Sequence, residues 1–161
     1  MNAKDKKKFV DENNTRKADQ RVVYEKIKDE AHCPFCAENF LTYHKKPILS
    51  EGKYWILTDN QWPYEKVINQ LLAVYKTHIE HISEMAPEAA TELFELFQAE
   101  AKKRNIPGGG IAMRFGSSPD GNYGSSVLHL HAHLIEPDLK ALASDESWKF
   151  KFGQPKNYKK K

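Results

Sequence analysis

The sequence predicts an α+β domain built on a largely antiparallel sheet. Three observations carry that expectation. The chain has 161 residues, 40% of them hydrophobic and 29% charged, enough for one domain with a core of ordinary size. A single long amphipathic segment lies between two groups of strand-like segments. A doubly wound fold would instead place a helix after each strand.

The elements follow in order. Residues 1–14 are charged and polar apart from Phe9 and Val10, and read as a disordered basic tail. Residues 15–30 suit a helix with Val22, Val23 and Ile27 near one face. Cys33-Pro34-Phe35-Cys36 makes a tight turn. After the break at Glu51-Gly52, Tyr54-Trp55-Ile56-Leu57-Thr58 is rich in strand formers. Residues 59–68 form a loop, and 69–76 carry the buried strand Leu71-Leu72-Ala73-Val74-Tyr75.

The long helix spans 87–104. Pro87 suits its first position, and Ala90, Leu93, Phe94, Phe97 and Ala101 make one apolar stripe that reads as core. Pro107-Gly108-Gly109-Gly110 ends it, and Ile111-Ala112-Met113-Arg114-Phe115 begins the next strand. Residues 117–124 are turn-rich, with Asp120-Gly121 as the turn itself. Ser126 to Ile135 is the last strand. The domain proper is expected over 15–148, and 149–161 as a lysine-rich tail.

Composition excludes several classes. No apolar run approaches the length of a membrane span, and Met1 to Lys8 lacks the apolar segment of a secretory signal, so a soluble cytoplasmic protein is expected. Two cysteines in C-x-x-C spacing exclude a disulfide scaffold but admit a metal or redox pair. The net charge of +3 is too small to imply nucleic acid. Six lysines without an acid between Lys149 and Lys161 read as a solvated tail, with an electrostatic lure for polyanions as the sharper alternative.

The chemistry concentrates in His129-Leu130-His131-Ala132-His133-Leu134-Ile135. On a strand, positions i, i+2 and i+4 share a face, so three imidazoles would line one surface while Leu130, Ala132 and Leu134 pack on the other. Imidazole can ligate a metal, move a proton or attack as a nucleophile. The preceding Gly124-Ser125-Ser126 can offer N–H groups and hydroxyls to an anion.

These residues resemble the His-φ-His-φ-His-φ-φ signature of the histidine triad (HIT) family. Cys33-Pro34-Phe35-Cys36 resembles the C-x-F-C opening of zinc-bearing bacterial members, and Leu72 to His78 resembles the apolar strand that ends in Pro-Lys-x-His. The resemblance covers about residues 33–137. It implies a HIT-like fold with an antiparallel sheet of about five strands, one long helix and a shorter N-terminal helix. It also implies a homodimer whose sheets join, and hydrolysis or transfer at the α-phosphate of a nucleotide, with a phosphoramidate or dinucleoside polyphosphate as substrate. His131 matches the nucleophile, which would form a nucleotidyl-histidine, and its Nδ1–H should be held by a carbonyl. His133 matches the residue that hydrogen-bonds the phosphate or leaving group, and Ser126 a serine that contacts phosphate.

The resemblance also implies structural zinc on Cys33, Cys36, His78 and His129, which makes up the four ligands of a tetrahedral site. His81 is a rival for the third place. Several positions depart from the family pattern. Arg114-Phe115-Gly116 replaces Asn-x-Gly, so Arg114 becomes a candidate phosphate contact. Ser125 stands where Gln is common, Gln70 where a His is expected, and Tyr75 where Pro precedes the Lys. Asn60 lies near the family's ribose-binding acid, in a loop with an insertion.

Three rival readings remain. Cys33-Pro34-Phe35-Cys36 also resembles the glutaredoxin motif, which needs a strand before the first Cys. A nucleotide- or RNA-binding module would use Trp148, Phe150 and Phe152 among the tail lysines to stack bases. A metallohydrolase would use the three histidines, but alternation sets successive imidazoles about 7 Å apart at the backbone, and all three converge poorly.

Overall fold

The computed structural model describes residues 9–11, 14–118 and 121–153. Helix α1 (Ala18–Glu30) and the short helix α2 (Ala37–Tyr43) precede strands β1 (Ile48–Glu51), β2 (Trp55–Asp59) and β3 (Val67–Tyr75). Helix α3 (Pro87–Lys103) then leads to β4 (Gly110–Arg114), the two-residue strands β5 (Ser117–Ser118) and β6 (Gly121–Asn122), and β7 (His131–Pro137). The main sheet has the order β1-β2-β3-β7-β4, and each neighbouring pair is antiparallel. The α+β expectation with five antiparallel strands therefore holds.

Alternation divides each strand between two layers. Trp55 and Leu57 of β2, Leu71, Ala73 and Tyr75 of β3, and Ala132 and Leu134 of β7 form one core with Leu93 and Phe97 of α3. The Trp55 indole N–H donates to the Ala89 carbonyl at 2.8 Å and pins the helix to the sheet. Glu92 adds a second tie: its carboxylate accepts from the backbone N–H groups of Lys53, Tyr54 and Trp55 at 3.0, 2.8 and 2.9 Å. The opposite sheet face carries Ile56, Leu72 and Val74, covered by Phe40 of α2. A third cluster, Val10, Tyr24, Ile27, Cys33 and Val127, joins α1 to the segment before β7.

Several expectations need correction. The buried stripe of α3 is Ala89, Leu93, Phe97 and Glu100, and Phe94 is 54% exposed. Leu93 and Phe97 are buried as expected and Ala101 packs on the core, but Ala89, whose carbonyl accepts from Trp55, is buried in place of Ala90. In α1 the buried residues are Gln20, Tyr24 and Ile27, whereas Val22 is exposed. Helix α2 lies where no helix was expected; at seven residues it is too short to show a period.

Both termini contribute more than solvated tails. Val10 is buried and bridges to Val127, Leu128 N–H donates to the Phe9 carbonyl at 2.8 Å, and Asn14 is buried. The tail expected over 1–14 is thus docked at Phe9–Asp11 and Asn14, and the rest of it lies outside the described residues. At the other end, Trp148 to Gly153 folds back over the domain: the Trp148 indole donates to the Glu65 carbonyl at 3.1 Å. The lysines beyond Gly153 lie outside the described residues, as does Asp120 of the expected turn; Gly121 belongs to β6. No helix among the described residues is long and apolar enough to cross a membrane.

Strand β7 starts at His131, not Ser126. Its ladder with β3 ends at the Val74–His131 pair. Before that point the chain leaves the sheet: Leu130 N–H donates to the Ile79 carbonyl at 2.7 Å and Leu128 N–H to Phe9. His131 and His133 keep the expected shared face, opposite Ala132 and Leu134. His129, which is off the strand, points elsewhere.

Candidate active site and metal centre

Two sites meet at the start of β7. The first gathers the side chains of Cys33, Cys36, His78 and His129, whose ligand atoms all lie within 4.8 Å of one another. The Cys33 Sγ is 3.3 Å from His129 Nδ1, the Cys36 Sγ is 3.5 Å from His78 Nδ1 and 3.9 Å from His129 Nδ1, and the two Nδ1 atoms are 3.2 Å apart. Tetrahedral zinc, with Zn–S near 2.3 Å and Zn–N near 2.05 Å, sets its ligand atoms about 3.3–3.8 Å apart. The separations given above lie near that spacing, all pairs fall within 4.8 Å, and the two thiols and two imidazoles suit zinc.

Local structure builds the cluster. The Cys33–Cys36 turn runs into α2, where Cys36 is the N-cap residue and its carbonyl accepts from Phe40 N–H at 2.9 Å. Asn39 Nδ2 donates to the Cys33 carbonyl at 3.0 Å and fixes the other end of the turn. His129 Nε2–H donates to the Tyr75 carbonyl at 2.5 Å, which leaves Nδ1 for a metal. His81 is elsewhere: its Nδ1 accepts from Ser83 N–H at 3.1 Å and its ring packs on Phe115. The cluster therefore takes in His78 and not His81.

The same geometry argues against thiol redox chemistry. Burial pushes the Cys33 thiol up to about 12, whereas a reactive cysteine needs a lowered value. The residues before Cys33 form helix α1, not the strand that the glutaredoxin motif requires. A catalytic metal on all three histidines also fails, because His129 is drawn into the thiol cluster.

The second site is the groove lined by His131, His133, Phe35, Leu72, Tyr64 and Ser126, with polar groups from α1 and β4 around its mouth. His131 and His133 are each 5% exposed, and their ring centroids are 5.3 Å apart. The His131 Nδ1–H donates to its neighbour's carbonyl, His129 O, at 2.6 Å. That bond assigns the proton to Nδ1 and leaves the Nε2 lone pair for the groove. Burial holds His131 down to about 4, so the ring is neutral near pH 7.

His133 carries the complementary tautomer. Gln70 Oε1 accepts from Tyr64 N–H at 2.7 Å, which orients the amide. Its Nε2–H then donates to His133 Nδ1 at 3.3 Å, so the His133 proton lies on Nε2. Burial also lowers His133 well below the usual imidazole range. One ring thus presents an electron pair and its neighbour an N–H donor.

The other candidate residues divide. Ser126 lines the groove, with its Oγ 3.1 Å from the Tyr24 hydroxyl. Ser125 does not: it is buried and its hydroxyl donates to the Val127 carbonyl at 2.6 Å. Asn60 lines the groove, but its Oδ1 is spent on Trp62 N–H at 3.0 Å. Arg114 pairs across β4 with His131 and reaches the mouth, where Nη1 donates to the Tyr64 hydroxyl at 3.0 Å. Its guanidinium lies 3.8 Å from the Phe150 ring centroid, and Nε and Nη2 both donate to the Lys151 carbonyl.

Sequence reasoning missed Arg16, Tyr64 and Trp62 altogether and treated Gln70 only as a departure. Arg16 Nη2 donates to the Trp62 carbonyl at 3.0 Å, and its guanidinium lies 4.0 Å over the Tyr64 ring. The one signal for Gln70 was its position: strand pairing sets it against Ile135, beside His133.

No protein-family profile matches the chain, and no curated protein sequence matches it. Solved structures do. A histidine triad protein from Clostridium difficile superposes with a TM-score of 0.53 at 21% identity, over 71% of this chain and 96% of that one. A HIT family protein from Bacillus anthracis gives 0.53 at 20%, over 74% and 82%. A Zn-bound histidine triad family protein from Mycobacterium smegmatis gives 0.52 at 19%, over 76% and 83%. At such identities the likeness is one of architecture, and it agrees with the strand order and helix placement described above. The chain has the HIT-like α+β fold of the histidine triad proteins.

Proposed function

We propose that the protein is a nucleotide hydrolase or nucleotidyl transferase that works through a covalent nucleotidyl-histidine on His131. The observation that carries this reading is the pair of opposite tautomers on β7. His131 Nδ1–H is held by the His129 carbonyl, which keeps the Nε2 lone pair available for attack. Neutrality comes from burial.

His131 Nε2 attacks the α-phosphorus, a P–N bond forms, and the bond from phosphorus to the leaving group breaks with its electron pair on the leaving atom. His133 Nε2–H donates to an oxygen that gains charge in that step. Ser126 at the groove wall offers its hydroxyl to a non-bridging oxygen. Water or another acceptor then attacks the phosphorus, the P–N bond breaks with its electron pair returning to His131 Nε2, and the proton of the attacking group passes to solvent. Gln70 acts as a positioning residue by holding the His133 ring.

Zinc on Cys33, Cys36, His78 and His129 would supply a structural tie between the N-terminal turn and the approach to β7. The donor spacing supports this, and the Mycobacterium smegmatis relative is described as Zn-bound. The His129 carbonyl then serves His131 while the His129 ring serves the metal cluster. A homodimer formed through the edge strand β4, and a cytoplasmic setting, complete the proposal. The alternative of a base-stacking tail is disfavoured because Trp148 and Phe150 pack against Tyr64 instead.

Steady-state turnover of an adenosine phosphoramidate and a diadenosine polyphosphate tests the proposal. The expected result is measurable hydrolysis of at least one, reduced 1,000-fold or more in His131→Ala. Turnover that survives the substitution would overturn it.

A further inference from the structure

The groove holds two guanidinium groups and no carboxylate. Among the described residues that line it, Arg16 and Arg114 are the charged ones. Both are tied to one ring: Arg16 lies over the face of Tyr64, and Arg114 donates to its hydroxyl. Tyr64 in turn packs edge-on against His133, with centroids 6.3 Å apart. Both cations act electrostatically on both His131 and His133. Tyr64, Tyr24 and Arg114 are the titratable groups that act most strongly on Arg16. Arg104, by contrast, is paired with Asp59 and Glu100.

Two cations brought together beside neutral histidines, with no carboxylate among the described lining residues, select for an anion. Arg114 already shows the grip. Its Nε and Nη2 converge on a single acceptor, the Lys151 carbonyl, at 2.9 and 2.6 Å. A phosphate oxygen would take that place with a full charge.

We propose that Arg16 and Arg114 form a clamp for an anionic leaving group, so that the groove favours nucleotides whose α-phosphorus carries a further phosphate over those that carry an amine. The proposal rests on the His131 reading for its chemistry. When the bond to phosphorus breaks, a phosphate leaving group gains negative charge on the bridging oxygen, and the two guanidiniums stabilise it. An amine leaving group must instead take a proton, from His133 Nε2–H, while still bound to phosphorus, and two adjacent cations oppose that cationic nitrogen before it departs as a neutral amine. The clamp belongs to this chain's own residues: Arg16 arrives from the segment before α1, and Arg114 from the end of β4, directly across from His131.

Calorimetric titration of the full chain with AMP and with the non-cleavable α,β-methylene ADP tests this. The parent should bind the diphosphate at least tenfold more tightly than AMP, which is the scale of one charge-assisted hydrogen bond. That ratio should fall toward one in Arg16→Gln and in Arg114→Gln. Arg16→Lys, which keeps the charge but loses the fork, should retain part of it and guards against a folding defect in the glutamine variant. A parent ratio near one, a ratio unchanged in both glutamine variants, or no binding of either nucleotide overturns the clamp. Phosphoramidate turnover without diphosphate preference would sink the clamp and leave the His131 reading intact. Diphosphate preference without turnover of any nucleotide would do the reverse.

Discussion

With zinc on Cys33, Cys36, His78 and His129 as proposed, removing it, or one of those side chains, should unlatch the N-terminal turn from the approach to β7. Cys36 is the informative ligand to change. It is only half-buried, so Cys36→Ser alters little packing, whereas Cys33 is buried. Cys36 is separated by 42 residues from His78 and by 93 from His129. A cross-link that closes a loop of about 93 residues is worth roughly 4–5 kcal/mol of chain entropy in the unfolded state. For a chain of this length, that corresponds to a fall of about 10–20 °C in the unfolding midpoint. The assay is thermal unfolding of the zinc-loaded parent, the parent with a chelator, and Cys36→Ser with excess zinc, alongside zinc content per chain. The chelated parent and the variant should unfold at about the same low temperature, with thiols newly reactive toward a labelling reagent. If the chelator moves the parent by under about 2 °C, or if Cys36→Ser keeps one zinc and the parental midpoint, the reasoning fails.

Two further predictions concern the scaffold. His44 is stacked on Phe40, donates from Nε2 to the Thr58 hydroxyl at 2.8 Å, and is held down to about 4 by burial. Its folded value is depressed below the unfolded 6.5, so its stabilisation is complete above pH 6.5 and is lost as pH falls toward 4. Between pH 7.5 and 5, denaturant titration should show the parent losing about 2 kcal/mol more than His44→Gln; equal losses would contradict this. Glu92→Ala should cost about 2–4 kcal/mol by orphaning three backbone N–H groups at the start of β2, with Glu92→Gln recovering about half. A melt of Glu92→Ala indistinguishable from that of the exposed control Glu95→Ala would refute it.

Local patterns made much of this architecture legible. The helix from Pro87 to Lys103 follows from its apolar period and N-terminal proline, and the β2 and β3 strands from their runs of strand formers. The alternation of His131, Ala132, His133 and Leu134 fixed which side faces the core. Three things depended on tertiary contacts that no local pattern encodes. The end of the β7 ladder turned His129 out of line, because Leu130 N–H goes to the Ile79 carbonyl and only its own carbonyl still pairs with Tyr75 N–H. Burial of Val10 and Asn14 required the segment before β7 as a partner. Arg16 and Tyr64 reach the groove, and Gln70 reaches the His133 ring, from 61 to 117 positions away along the chain, so only the folded register brings them to His131 and His133.

The same contacts explain why the candidate residues did not all meet. Ser126 and Ser125 are neighbours, yet one hydroxyl lines the groove and the other closes a local turn onto Val127. His78 and His81 are three residues apart, yet His78 joins the cysteines and His81 caps the short 3₁₀ turn Ile82–Glu84. In each pair the backbone direction decides, and residue type alone carries no information about it.

The central claim is that His131 becomes covalently nucleotidylated, and intact-protein mass spectrometry after rapid mixing tests it most directly. The parent and His131→Ala would be mixed briefly with a diadenosine polyphosphate or an adenosine phosphoramidate, kept free of acid, and weighed. The account predicts a parent species heavier by one adenylyl group, and no such species in the variant. An adduct that persists in His131→Ala, or steady turnover by the parent with no adduct at any mixing time, would contradict it.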